Sequence, residues 1–133
     1  MSILSTITGA QVSAIMVGGA LGALSRYIVS GIIMDRLGSD FPYGTLAVNV
    51  LGSFLMGFLA MLLVERMGLD PLLRLGIFVG FLGAFTTFST FSMETLNLFE
   101  QGAHLKAFAN MFISVLLSVV AVWLGVIVGK AVG

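Results

Sequence analysis

Four long apolar runs divide the chain, separated by short polar breaks. The first extends from Val12 to Met34 and stops at Asp35-Arg36-Leu37-Gly38-Ser39-Asp40. Pro42 opens the second, Tyr43 to Val64, because proline suits the first turn of a helix. Glu65-Arg66-Met67-Gly68-Leu69-Asp70-Pro71 closes it. The third runs from Leu72 to Phe99, and Glu100 to Lys106 leads into the fourth, Ala107 to Gly129. A membrane-spanning helix needs about 20 mainly apolar residues. The pattern therefore predicts one all-α transmembrane domain over residues 1–133, with sequential helices running antiparallel across short connections.

The third run departs from this simple picture. Residues 72–99 as one helix reach about 42 Å at about 1.5 Å per residue, against a hydrocarbon core of about 30 Å. Its second half is also polar: eight of the twelve residues from Thr86 to Asn97 are Ser, Thr, Glu or Asn. Phe85, Phe88 and Phe91 stand among them at intervals of three. A break near residues 80–87 accounts for both the length and the change in character, provided something satisfies the freed carbonyls; a bound cation is one candidate. A continuous helix whose hydroxyls bond back to their own turn is the alternative.

Two further polar stripes have helical spacing. Thr45, Asn49 and Ser53 recur at i+4 in the second run, and Asn110, Ser114 and Ser118 in the fourth, so each set shares a helix face. Singly, such residues serve as glue between membrane helices. Together with the polar half of the third run they can line a narrow path for something small and polar. Gly18-x-x-x-Gly22, Gly76-x-x-x-Gly80 and Gly125-x-x-x-Gly129 have the spacing that lets helix backbones approach closely.

Composition sharpens the class. Only 9% of the 133 residues are charged and 59% are hydrophobic, with a mean hydropathy of +1.14, whereas a soluble domain carries about 25% charged residues. Cysteine is absent and there is one histidine, His104, so no thiolate site, disulfide framework or multi-histidine centre is available. Residues Met1 to Gln11 lack the positive region of a signal peptide, so the first apolar run is expected to remain as a span. Six basic residues balance six acidic ones, leaving no tract for nucleic acid. In a four-span topology Arg66, Arg74 and Lys130 lie on one side, and Arg36 and Lys106 on the other, joined by Arg26 if it reaches out from the first helix. The excess of Lys and Arg that normally sets orientation is missing. Either one arginine decides it, or the chain inserts both ways and inverted copies pair as an antiparallel dimer.

The embedded ionisable residues are Arg26 and Glu94, each costly enough to suggest a role. The ladders hold amides and hydroxyls rather than carboxylates, which suits an anion better than a cation. Phe88 and Phe91 can contribute through their electropositive ring edges, or can simply pack. Glu94, just beyond them, is placed to cap a Ser or Thr hydroxyl.

The chain resembles the Fluc (CrcB) fluoride channel family over nearly its whole length. The likeness rests on Gly22-Ala23-Leu24-Ser25-Arg26-Tyr27, on Gly44-Thr45-Leu46-Ala47-Val48-Asn49, and most firmly on Gly80 to Thr95. It implies an antiparallel dual-topology homodimer with two pores and a third helix broken at the dimer centre. There, backbone carbonyls, matching Gly83 and Thr86, hold a structural Na⁺. It implies a pore of Asn49, Phe88, Phe91, Ser114 and Ser118, with Thr45, Thr87, Thr90 and Glu94 in its polar lining and Arg26 in a vestibule. Asn110 stands where some relatives have tyrosine. The implied role is passive fluoride export through a bacterial inner or plasma membrane, in contact with lipid and without enzymatic chemistry.

Two other readings bear on the same features. A small proton-coupled antiporter of the dual-topology multidrug type normally needs a glutamate in its first helix, and this chain has none there. A non-transporting assembly subunit would use the glycines and leave the polar ladders idle.

Overall fold

The computed structural model describes residues 2–133. Four helices are long and apolar enough to cross a membrane: Gly9–Leu37, Tyr43–Arg66, Pro71–Glu100 and His104–Val132, here the first to fourth spans. They extend up to three residues beyond the apolar runs because polar end residues cap and prolong them. Thr8 and Gln11 form a reciprocal capping box ahead of the first span. Asp70 accepts a hydrogen bond from Leu72 N (2.8 Å) at the start of the third. Gly38 and Gly102 adopt positive φ, +87° and +79°, where the chain leaves the first and third spans. A short helical turn, Ile3–Thr6, precedes the bundle.

The spans alternate in direction, and side chains tie the connections at each end. Arg66 donates to Lys130 O (2.9 Å) at one end, and Lys106 donates to Asp40 O (3.3 Å) at the other. The second and fourth spans pack most extensively, followed by the first against the early part of the third. Both contacts depend on missing side chains. A Cβ on Gly18 or Gly22 would overlap the backbone of Gly76 or Phe81, and one on Gly57 or Gly125 would overlap Val122 or Phe54. Outward surfaces are greasy: Met16, Phe112, Val119 and Trp123 are all exposed, as a bilayer requires.

Two stretches depart from α geometry. Ala60–Arg66 and Leu75–Leu82 are wound wider, as π-helix. Past the second of these, helical geometry stops at Phe85. Thr86 (φ −91°, ψ 155°) and Thr87 (φ −150°, ψ 117°) are extended, and helix resumes over Phe88–Glu100 with Thr87 as its N-cap.

Candidate ion pathway

The break is held from both sides. Asn49 of the second span accepts from Thr87 N (2.7 Å) and donates Nδ2 to Thr87 O (3.0 Å). Arg26 of the first span donates Nε to Ala84 O (2.9 Å). Within the segment, Thr86 Oγ1 donates to Leu82 O (3.0 Å). Thr87 Oγ1 accepts from Thr90 N (3.2 Å) and donates to Thr90 Oγ1 (3.0 Å). Gly52 makes this approach possible, since a Cβ there would overlap the Thr86 methyl.

These diversions have a consequence for the carbonyls. An unbroken helix would give Thr87 N–H to Gly83 O and Thr90 N–H to Thr86 O. Both donors are spent elsewhere, on Asn49 and on the Thr87 hydroxyl. Among the described residues no other group bonds to Gly83 O or Thr86 O. An orphaned carbonyl pair at membrane depth is costly unless a donor, water or cation meets it.

Two cavities flank Thr87. The first, of about 390 Å³, lies between the second span, the break and the fourth span. Asn49, Ser53, Thr86, Thr87, Phe88, Phe91, Ser114 and Ser118 line it, with Met56 and Val119 among its apolar walls. Among the described residues no ionisable side chain does. Phe88 and Phe91 sit with ring centroids 5.4 Å apart, tilted by 47°. Phe91 is 8% exposed and Phe88 is 76% exposed, so one ring is embedded in the subunit and the other projects from it. The second cavity, of about 490 Å³, carries Arg26, Asp35, Thr45, Thr87 and Thr90.

The i+4 ladders are therefore divided. Asn49 and Ser53 face the first cavity while Thr45 faces the second. Ser114 and Ser118 line the first, while Asn110 lies behind the wall, 2% exposed. It donates to Thr95 Oγ1 (2.9 Å) and accepts from Ser114 Oγ (3.2 Å). Thr95 in turn donates to Phe91 O (2.8 Å). Glu94 lines neither cavity; it comes against Thr45, and its Oε1 is buried without a partner among the described residues. Gly83 also lies outside both. Thr95 and Gly52 were not singled out by pattern. The first was one of several hydroxyls, and the second shows its purpose only beside Thr86.

Comparison with known proteins bears on the whole bundle. Residues 13–126 match the family described as "CrcB-like protein, Camphor Resistance (CrcB)". A fluoride-specific ion channel FluC of Methylococcus capsulatus is 54% identical over 88% of this chain, which spans about half (51%) of that protein's length. The protein of the same name from Magnetococcus marinus is 49% identical over 92% of this chain and 99% of its own. That from Legionella pneumophila (strain Paris) is 48% identical over 90% and 89%. The matched region takes in the clamp at Thr87, the lining of both cavities and most of each of the four spans, and this chain belongs to the CrcB-like family.

Proposed function

We propose that the protein is a fluoride-specific ion channel that lets fluoride leave the cell passively and protects it from fluoride toxicity. One observation carries the reading. The cavity where Asn49, Thr87, Phe88, Phe91, Ser114 and Ser118 converge offers amide, hydroxyl and ring-edge groups, in a chain about half identical to proteins bearing that name. Fluoride is compact and tightly hydrated, so it enters only where donors replace its water. Asn49 spends one Nδ2 hydrogen on Thr87 O and has a second to offer. The electropositive edges of Phe88 and Phe91 add weak attraction, and several weak sites in series let the ion leave as well as enter. Larger chloride gains less from each donor. Arg26 serves the vestibule with Thr45 and Thr90 beside it, Glu94 stands against Thr45 outside both cavities, and Asn110 supports the first cavity from behind.

Two copies pair antiparallel in this reading, giving two pores. The near-even division of Lys and Arg between the two sides, three against two or three, supports insertion both ways. The projecting Phe88 ring supports a pore closed by a second copy. A structural Na⁺ fits the chemistry at the break. Gly83 O and Thr86 O are the carbonyls whose helical donors have been diverted, and oxygen ligands suit a hard cation. Sodium there would supply fixed positive charge, and the carbonyls of Gly83 and Thr86 would hold it at the interface.

Liposomes loaded with fluoride or chloride test this directly with ion-selective electrodes. Rapid fluoride efflux, negligible chloride efflux and no requirement for a proton gradient are expected. Fluoride movement that stops without a proton gradient overturns the channel in favour of an antiporter.

A further inference from the structure

Asn110 does not touch the first cavity, yet it is one hydrogen bond from Ser114 on its wall and two from the backbone of Phe91 on the facing wall. The direction of each bond follows from the far end. The Phe91 carbonyl can only accept, so the Thr95 hydroxyl donates to it. With its one proton spent, Thr95 Oγ1 must accept, and the Asn110 atom 2.9 Å away is the amide nitrogen. The amide oxygen therefore faces Ser114, whose Oγ donates to it. A serine has a single proton. Ser114 thus turns that proton toward Asn110 and presents lone pairs to the cavity.

We propose that Asn110 is a positioning residue that competes with the permeating anion for the Ser114 proton and so keeps the ion weakly held. The inference rests on the fluoride reading above. An anion arriving beside Ser114 meets lone pairs, and binds there only by drawing the hydroxyl away from Asn110. The exchange is favourable, because a charge-assisted hydrogen bond is about twice as strong as a neutral one. What remains as binding is the difference between the two. A conduction site must be left as readily as it is entered, and the waiting amide oxygen takes the proton back when the ion departs. Thr95 keeps that oxygen aimed, since without its hydroxyl the amide is free to turn.

Single-channel recordings over a range of fluoride concentrations test this in the full-length protein. Asn110→Leu, of similar shape, should lower the half-saturating fluoride concentration about two- to tenfold, the range one net hydrogen bond spans. The maximal conductance should fall with it, because the ion leaves more slowly. Thr95→Val, remote from the cavity, should shift both in the same direction, and it decides the question if Asn110→Leu does not fold. Both shifts should vanish in a Ser114→Ala background. A purely structural role changes the number of active channels, which single-channel amplitudes do not register. Unchanged half-saturation, or shifts that persist without the Ser114 hydroxyl, overturn the inference and leave the channel reading standing. An unmodified chain that carries no fluoride current overturns both.

Discussion

Replacing Asn49 with leucine removes both hydrogen bonds that hold Thr87 extended, at 2.7 and 3.0 Å. The side chain keeps its approximate shape, so the loss is chemical rather than steric. One backbone N–H and one C=O are left without partners. Each unsatisfied buried group costs about 1–3 kcal/mol, or about 2–6 kcal/mol for the two. Thr87 lines two cavities, where water can replace part of what is lost, so the expected destabilisation is at the lower end, about 2–3 kcal/mol. The chain has another escape: Thr87 N–H can return to Gly83 O, its partner in a continuous helix. That extension draws Thr87 out of both cavity walls and takes Gly83 O away from any cation. Either route should reduce fluoride efflux from liposomes and lower stability to denaturant in detergent. If Asn49→Leu matched the unmodified chain in both assays, the clamp would not be what holds this segment open.

Other outcomes follow from the same geometry. Phe91→Ile should lose fluoride efflux and about 1–2 kcal/mol of stability, since a buried ring becomes a smaller side chain. Phe88→Ile should lose efflux with little change in stability of the subunit, because that ring is 76% exposed; unchanged efflux in both variants would make the rings packing residues. Gly18→Ala should destabilise by about 1–3 kcal/mol, as its methyl meets the Gly76 carbonyl with no flexible atom to yield; an unshifted unfolding midpoint would refute this contact. Exhaustive replacement of Na⁺ by a large organic cation should abolish fluoride efflux and restoration of Na⁺ should recover it; efflux indifferent to Na⁺ would remove the cation from the account.

The four spans were legible because mean hydropathy over about 20 residues is a bulk property that no single contact overturns. Their ends were less so, since the Thr8–Gln11 capping box extends a helix through local bonds that hydropathy ignores. Of the two stripes, the structure brings only part of each to one cavity. Four residues advance a helix about 40° beyond a full turn, so a ladder of three drifts across its own face. Thr45 and Asn110 consequently fall away from the cavity that Asn49, Ser53, Ser114 and Ser118 share. The clamp was not legible at all. Whether Thr87 N–H bonds within its helix or to a side chain depends on Asn49, 38 residues away in sequence, and nothing local to either residue states that pairing.

The two extended residues at Thr86 and Thr87 also set the electrostatics of the site. Peptide dipoles add along each half of the third span, giving a partial positive charge at a helix start and a partial negative one at a helix end. The segment ending at Phe85 thus turns its negative end toward the carbonyls that would meet a cation, while Phe88–Glu100 begins with its positive end beside the cavity that Phe88 lines. A single interruption delivers opposite fields to two neighbouring places, and it does so with peptide groups alone. The peptide contribution offers mutation no side chain to reverse and persists at any pH at which the fold survives, whereas Arg26, bonded to Ala84 O, adds a charge that a substitution can remove.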